Sequence, residues 1–289
     1  MEDKIKNLIN LYYTDRKICK ELHIAQKTLI EYKNKNNISN SRLKFKNLQL
    51  NHFLFEKIDS EEKAYWLGFL YADGCVYKEK IAINLVHSDS YHLIKFQKLL
   101  NYNITPKIRK RNKNNNGQDY CNFTISSKKL TNDLINLGCT PNKTLSLKFP
   151  TEEQVPKHLI HHFIRGYFDG DGSISKTKYY SYAFCGTEDM MNGINNVLLN
   201  NNVIKKPIKI QQTKSKTLHI IKKSGNIGVL LFKEWLYRDA TIYLQRKKSK
   251  FDNVVQSNKL FSKCKLCNNK FYAKELCRNH YEKQKTKIK

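Results

Sequence analysis

The sequence has 289 residues, and its 53 lysines and arginines outnumber its 25 aspartates and glutamates, which gives a formal net charge of +28. With 40% hydrophobic and 11% aromatic residues the chain can bury a core, so a wholly disordered basic tail is excluded. Since no apolar run approaches the roughly 18 residues of a membrane span, we expect an intracellular protein, cytoplasmic in a prokaryote or phage host, that binds a polyanion such as nucleic acid and no membrane.

The N-terminal residues 1–38 carry helical periodicity in three short segments. The apolar positions are Ile5, Leu8, Ile9 and Tyr12, then Ile18 and Leu22, then Leu29 and Ile30. Residues 39–55 follow as a predicted linker with several apolar anchors. Each helical segment is too short to fold separately, so we expect the three to pack together.

The second and third of these segments resemble a helix-turn-helix. The turn falls at His23, and Gln26, Lys27 and Thr28 would then lie at the start of a recognition helix that binds DNA. His23 stands where glycine is common, and Ala25 replaces the usual hydroxyl cap. A plain three-helix packing unit therefore remains the alternative.

The middle block, residues 56–255, contains an internal repeat. Residues 64–74 read AYWLGFLYADG and residues 162–172 read HFIRGYFDGDG, and each is an apolar helical run that closes on Asp-Gly. We predict an α+β core of two pseudo-symmetric halves, about 56–150 and 151–255, each with a helix, two strands, a helix, two strands and a helix.

Similar elements follow each copy of the repeat. The predicted strands are Lys80–Val86, Lys107–Arg111 and Tyr120–Ser126 in the first half, and Tyr179–Phe184, Ile208–Thr213 and Thr217–Ile221 in the second. Ser88 and Thr187 stand where N-caps are expected for helices that end near Leu100 and Leu199.

Each repeat helix holds a glycine in its middle, Gly68 in the first and Gly166 in the second. A glycine inside a helix costs about 1 kcal/mol relative to alanine. Close packing of the two helices, backbone against backbone, would offset that cost. We therefore predict that the two repeat helices cross at these glycines.

Such a crossing brings Asp73 and Asp171 together at the ends of the helices. For a single copy, Asp-Gly would read simply as a helix stop with a left-handed glycine cap. Two copies in matching halves favour a site, because paired carboxylates repel each other unless a divalent cation lies between them. Oxygen ligands of this kind suit Mg²⁺.

The segments WLGFLYADG and IRGYFDGDG resemble the two motifs of single-chain LAGLIDADG homing endonucleases, over roughly residues 51–255. The resemblance implies a monomer whose two αββαββα halves pair through the motif helices about a pseudo-twofold axis. It also implies a saddle of strands along the major groove of double-stranded DNA, with Asp73 and Asp171 binding the catalytic Mg²⁺. Tyr71 replaces the family's usual acidic residue, whereas Asp169 keeps it.

The resemblance further implies a catalytic lysine after the last helix of each half. Lys143 and Lys247 stand at about that point. The neighbouring lysines that compete for this role are Lys128 and Lys129 in the first half and Lys222 and Lys223 in the second.

Two predicted strands carry polar side chains at every second residue, which places them on one face of a sheet. These candidates for DNA contact are Lys107, Arg109 and Arg111 in the first half and Lys209, Gln211 and Thr213 in the second. Arginine and lysine can pair with guanine edges, and glutamine with adenine. An ordinary solvated sheet face is the alternative.

The C-terminal segment, residues 256–289, contains the spacing C-x2-C-x9-C-x2-H, formed by Cys264, Cys267, Cys277 and His280. Three thiolates and one imidazole complete a tetrahedral Zn²⁺ site. The segment is too small to fold without an ion, so the predicted zinc finger is structural.

Together these features predict a site-specific, Mg²⁺-dependent endonuclease that cuts both strands of DNA and carries a structural Zn²⁺. Two alternatives stay open. The first is a DNA-binding regulator without nuclease activity, and the second is an intron RNA maturase that holds structured RNA on the same scaffold.

Overall fold

The computed structural model describes residues 1–10, 15–36, 38, 50–102, 106–110, 119–214, 216–257, 266–267, 269 and 276–286. Two of the predicted site residues, Arg111 and Cys264, lie outside these ranges. Within the ranges, no helix combines the length and the apolar character that crossing a bilayer requires.

Three short helices form the N-terminal part. They are α1 (Glu2–Asn10), α2 (Asp15–Leu22) and α3 (Gln26–Lys35). Ile5, Ile18, Leu29 and Tyr32 form a hydrophobic cluster of their own, distinct from that of the middle block. Ile30, in contrast, faces solvent. Each of the three helices thus contributes at least one apolar residue to a shared core.

The middle block consists of two halves with the same order of elements. The first half contains α4 (Glu61–Asp73), β1 (Gly74–Tyr77), β2 (Lys80–Val86), α5 (Ser90–Leu99), β3 (Lys107–Arg109), β4 (Tyr120–Ser126) and α6 (Lys128–Asn136). The second contains α7 (Ile160–Asp171), β5 (Gly172–Lys176), β6 (Tyr180–Gly186), α8 (Glu188–Asn200), β7 (Ile210–Gln212), β8 (His219–Ser224) and α9 (Asn226–Tyr237). Two helices follow, α10 (Gln245–Ser257) and α11 (Arg278–Thr286). The predicted α+β class is confirmed.

Each half holds one four-stranded antiparallel sheet, in the order β1-β2-β4-β3 in the first and β5-β6-β8-β7 in the second. The sheets are amphipathic because side chains alternate between their faces. In β4, Cys121, Phe123 and Ile125 are buried, and the residues between them remain half-exposed. The apolar faces pack on the helices and form one continuous core.

The sequence analysis predicted four strands in each half but located only three, and the first strand of each sheet, β1 or β5, was not located. Each begins directly at the glycine after a repeat helix, and Gly74 and Gly172 have extended backbones with φ of −78° and −84°. Neither glycine therefore forms the left-handed cap that a single Asp-Gly would indicate. The glycines are needed for space, because an added Cβ would lie 2.5 Å from the Leu70 carbonyl oxygen at Gly74 and 2.2 Å from the Phe168 ring at Gly172.

The repeat helices α4 and α7 cross at their central glycines. An added Cβ at Gly68 would lie 1.9 Å from the carbonyl oxygen of Phe163, and one at Gly166 would lie 1.9 Å from the carbonyl oxygen of Tyr65. No side chain larger than a hydrogen atom fits at either position. The two backbones therefore touch, and this contact joins the halves.

One of the two predicted N-caps is confirmed. Thr187 caps α8, and its hydroxyl accepts the backbone N–H of Met190 at 3.2 Å. The prediction for Ser88 is wrong, because Ser88 lies in a short 3₁₀ turn and Asp89 occupies the N-cap position of α5. The Asp89 carboxylate does not cap the helix but accepts hydrogen bonds from the guanidinium of Arg246.

Candidate functional site

Asp73 and Asp171 are the last residues of α4 and α7, so the helix crossing brings both to one end of the paired helices. The Asp73 carboxylate lies against the last turn of α7, since a Cβ added to Gly170 would be 3.3 Å from Asp73 Oδ2. Both carboxylates keep solvent access. They are available to a ligand from outside.

The two carboxylates influence each other's protonation. Burial by the surrounding helix ends raises the pKa of Asp73 to about 6, and the negative charge of Asp171 adds to the shift. Burial also raises the pKa of Asp171, whereas Lys143 and Lys247 lower it. Two like charges close together in a crowded environment are stabilised by a bound cation, so the pair is suited to holding a divalent ion.

The two predicted lysines lie beside this pair. Lys143 donates to the carbonyl oxygen of Ala72 at 3.3 Å. Lys247 donates to three carbonyl oxygens at the end of α7, those of Phe168 at 2.6 Å, Gly170 at 2.9 Å and Gly172 at 2.6 Å. The ammonium group thereby places a positive charge at the C-terminus of α7, where the Phe168 carbonyl oxygen also accepts the backbone N–H of Gly172. Burial lowers the pKa of Lys247 to about 8.

The competing lysines are placed differently. Lys129 is buried in α6, where it forms ion pairs with Asp133 and Glu56. Lys222 is exposed in β8, where it pairs with Ala183 of β6. Lys143 and Lys247 are therefore the lysines that interact electrostatically with both aspartates.

The residues two positions before the aspartates differ between the halves. Asp169 is buried, and its Oδ2 accepts hydrogen bonds from the Tyr65 hydroxyl and the Leu244 backbone N–H, each at 2.7 Å. Burial raises the pKa of Asp169 to about 6. Tyr71, its counterpart, donates to the carbonyl oxygen of Leu137. Both side chains thus tie a repeat helix to the segment that leads to the lysine of the same half.

A second inter-half contact was not predicted from the sequence. Arg165 of α7 is fully buried and donates to Glu61, the first residue of α4. Arg165 also donates to the carbonyl oxygens of Leu236 and Ile242. Glu61 in turn accepts the backbone N–H groups of Thr241 and Ile242. The only sequence signals were Arg165 inside the second apolar run and the acidic Glu61 three residues before the first.

The described candidates for DNA contact lie in the edge strands β3 and β7 or directly beside them. Lys107 and Arg109 are exposed in β3, and Lys107 pairs with Asn122 of β4. In the second half Lys209 and Gln211 are exposed, whereas Thr213 is half-buried. The sheets therefore present basic and amide groups to solvent on the faces that the helices leave uncovered.

At the N-terminus, Gln26, Lys27 and Thr28 are exposed in the first turn of α3. His23 adopts a left-handed conformation with φ of 52° in the turn between α2 and α3. Ala25 is the N-cap residue of α3, and its side chain makes no capping hydrogen bond. The first turn of α3 thus presents polar side chains and free backbone N–H groups to solvent.

Three of the four predicted zinc ligands are described, and they converge. The Sγ atoms of Cys267 and Cys277 lie 3.7 Å apart, and each lies 3.4 Å from His280 Nδ1. A tetrahedral Zn²⁺ with bonds of about 2.3 Å to sulfur separates two thiolates by about 3.8 Å. The three groups can therefore ligate one ion with little movement.

Comparison with known families identifies the repeat. A family model described as "LAGLIDADG-like domain" matches residues 60–135 and 159–236, which together make up more than half of the chain. The two matches coincide with the two sheets and their repeat helices. No curated protein sequence matches the chain.

Solved structures with a similar fold include homing endonucleases and meganucleases. The homing endonuclease I-WcaI bound to its DNA recognition sequence has a TM-score of 0.50 at 13% identity, covering 66% of this chain and 87% of that chain. Meganuclease I-SmaMI bound to uncleavable DNA has a TM-score of 0.45 at 10% identity, covering 68% of this chain and 90% of that chain. At these identities the likeness concerns the fold alone.

Proposed function

Because the chain belongs to the LAGLIDADG-like domain family, we propose that it is a site-specific endonuclease that hydrolyses both strands of double-stranded DNA in a Mg²⁺-dependent reaction. The observation that carries the proposal is the pair of solvent-accessible aspartates at the ends of α4 and α7, with two buried lysines beside them. I-WcaI, which has a similar fold, binds its DNA recognition sequence. The net charge of +28 favours the same kind of partner here.

In this proposal Asp73 and Asp171 hold the Mg²⁺. Their carboxylate oxygens are the hard donors that Mg²⁺ prefers, and the raised pKa of both groups reflects a site that favours a counter-charge. A bound Mg²⁺ supplies charge neutralisation at the phosphate and activation of the attacking water. The helix ends fix both carboxylates in place before DNA arrives.

Lys143 and Lys247 are assigned to face the negative charge that develops on the phosphate during hydrolysis. Lys247 carries most of its charge at neutral pH, since its pKa is about 8. Its three hydrogen bonds to carbonyl oxygens hold the ammonium group in one position. In this assignment each lysine acts on the DNA strand that lies nearer to its own half of the protein.

Replacing either aspartate tests this assignment. We expect Asp73→Asn and Asp171→Asn each to slow plasmid cleavage by at least about 100-fold, because charge stabilisation at the reacting phosphate is lost. Binding to the same DNA, measured by fluorescence anisotropy, should persist. Asp59→Asn, which changes an exposed aspartate paired with Lys63, is the control and should cut at the wild-type rate.

Undiminished cutting by either active-site variant would refute the assignment. A wild-type protein that binds DNA and never cuts it with Mg²⁺ would instead favour the regulator without nuclease activity. Tight binding to structured RNA with no affinity for DNA would favour the maturase.

For DNA recognition we assign the exposed side chains of the two sheets to the major groove. Lys107, Arg109, Lys209 and Gln211 support this assignment by their exposure and by the common strand order of the two sheets. Thr213 and Arg111 belong to the same proposed set. The amide of Asn122, hydrogen-bonded to Asn84 at 2.7 Å, lies beside Lys107 and extends the polar surface.

The two terminal segments are proposed to enlarge the DNA-binding surface. For residues 1–38 we propose a helix-turn-helix in which Gln26, Lys27 and Thr28 enter the groove, supported by their exposure in the first turn of α3. Residues 39–55 then serve as the linker to the endonuclease core of residues 56–255.

For residues 256–289 we propose a structural zinc finger ligated by Cys264, Cys267, Cys277 and His280. Native mass spectrometry should show that Cys264→Ser and Cys267→Ser each lose one Zn²⁺ relative to the wild type. Cys75→Ser, a change at an exposed cysteine of β1, should retain the wild-type content. Equal zinc in the wild type and in both ligand variants would contradict the finger.

A further inference from the structure

A second group of potential metal ligands lies at the other end of α7. His161 and His162 are consecutive residues in the first turn of that helix, and Asp239 lies in the loop that follows α9. Ten residues of helix separate His161 from Asp171, which corresponds to about 15 Å. The group is therefore separate from the paired aspartates.

The ligand atoms of this group converge on one point. His161 Nε2 lies 3.0 Å from Asp239 Oδ1, and His162 Nε2 lies 4.0 Å from the same oxygen. The two imidazole rings are inclined to each other by 37°, with their centroids 3.8 Å apart. All three ligand atoms lie within 4.8 Å of one another. Tetrahedral coordination with bonds of about 2.0 Å separates ligand atoms by about 3.3 Å, so small side-chain movements suffice.

A carboxylate lies near the second ring nitrogen of one of these imidazoles. His162 is buried, and its Nδ1 has no hydrogen-bond partner among the residues that the structure describes. The nearest acid is Glu61, whose Oε1 lies 3.9 Å away. A histidine that ligates a metal through one ring nitrogen commonly donates its other N–H to a carboxylate, which fixes the ring. Glu61 Oε1 already accepts hydrogen bonds from Arg165 and two backbone N–H groups, so a modest approach of the His162 ring would be needed for Glu61 to take this role.

We propose that His161, His162 and Asp239 form a second metal site, which binds a divalent transition ion such as Zn²⁺. Two imidazoles and one carboxylate are the donor set that such an ion prefers over Mg²⁺. The Asp239 side chain is 61% exposed, so water can complete the coordination. Neither the proposed endonuclease activity nor DNA is required for binding.

Binding at this site would crosslink two parts of the second half. The loop that carries Asp239 continues through Thr241, whose backbone N–H and hydroxyl both donate to Glu61. It then leads into α10, which carries Lys247. A bound ion would thus connect the start of α7 to the segment that leads to α10. Lys247 in α10 contacts the other end of α7.

Asp239→Asn tests the site with little risk to folding. Asp239 is exposed and has φ of 54°, a left-handed conformation that asparagine adopts as readily as aspartate. We expect the metal-stripped wild type, titrated with Zn²⁺ and counted by native mass spectrometry, to bind one ion more than the variant. Where the variant still binds, its affinity at this site should fall by at least about 10-fold.

Asp252→Asn is the matched control, since Asp252 is a half-exposed aspartate of the same half, paired with Lys233. It should bind the wild-type number of ions. Cobalt distinguishes the site from the cysteine cluster, because the Co²⁺ lost with Asp239→Asn should show no sulfur-to-metal charge transfer. Equal zinc content together with equal affinity in the wild type and Asp239→Asn overturns the proposal, as does a thiolate signature for the ion that is lost.

Discussion

The imidazole of His92 lies fully buried among the rings of Trp66 and Phe69, with its Nε2 2.8 Å from the Tyr65 hydroxyl. Burial lowers its pKa to about 3, so the ring stays neutral in the folded protein at every pH above that value. The Tyr65 hydroxyl in turn donates to Asp169. A neutral imidazole is therefore part of the chain of contacts that holds Asp169.

This burial predicts acid destabilisation. In the unfolded chain His92 takes up a proton below about pH 6.5, whereas the folded protein does not do so until about pH 3. The unfolded state thus binds more protons within that window, and stability falls as the pH falls from 6.5 to 3. We expect His92→Phe to reduce the slope of unfolding free energy against pH by about 1.4 kcal/mol per pH unit within the window.

Chemical denaturation of the wild type and the variant at several pH values measures this difference. The wild type and the variant must be compared at the same pH values, because other groups also change stability in this range. Asp73 and Asp169 have raised pKa values of about 6, so they increase stability as the pH falls from about 6 to 4. His87→Phe, a change at an exposed histidine, should leave the slope unaltered. Identical slopes for the wild type and His92→Phe would show that the buried ring titrates normally.

At the level of the elements, the crossing of α4 and α7 is the contact on which the site depends. We expect Gly68→Ala to destabilise the protein by about 1–3 kcal/mol or more, because the new methyl group would overlap the Phe163 carbonyl oxygen. Urea denaturation measures the change.

Gly228→Ala in α9 is the matched control for this prediction. An added Cβ there would lie 3.5 Å from the Lys223 side chain, which is ordinary contact. Alanine should therefore stabilise this helix by about 0.5–1 kcal/mol. Equal effects at the two glycines would contradict the backbone-to-backbone crossing.

The duplicated pattern explains why these elements could be predicted. Two apolar runs with a glycine in the middle and Asp-Gly at the end indicated paired helices, and alternating residues located β2 and β4 at their observed bounds. The positions of β1 and β5 were not predicted, because these strands follow the repeat helices without a loop. At that boundary the hydrophobic periodicity changes from the 3.6 residues of a helix to the 2 residues of a strand. No turn residues lie between the two elements to mark the change.

The partners of the buried polar residues could not be predicted in the same way. The Tyr65 hydroxyl reaches Asp169, and Arg165 reaches Glu61, across the interface between the two halves. Nothing in the local sequence links residues so far apart in the chain. Lys143 and Lys247 were placed by family resemblance, because surface and site lysines look alike in a sequence with such an excess of lysine.

For the molecule as a whole, the Glu61–Arg165 contact links the two halves at the end of the helices opposite Asp73 and Asp171. Arg165 is fully buried, and Glu61 is the acid that compensates its charge. We expect Glu61→Gln to lower the free energy of unfolding by about 3–5 kcal/mol, because removal of one partner leaves a buried charge unpaired.

Thermal or urea unfolding measures this loss. Glu62→Gln changes the adjacent acid and should stay within about 0.5 kcal/mol of the wild type, as surface substitutions usually do. A Glu61→Gln protein as stable as Glu62→Gln would show that the backbone carbonyls around Arg165 suffice.

The two sheets share one strand order but carry unlike side chains at corresponding places. Lys107 faces Asn122 in the first sheet, whereas Gln211 faces Ile220 in the second. If the two sheets contact DNA as proposed, the target sequence need not be palindromic, because each sheet would meet its half of the duplex with different side chains. Substitutions in one sheet would then change the preference for one half of the target and leave the other half unaffected. A symmetric homodimer lacks this independence, because each substitution occurs in both of its subunits.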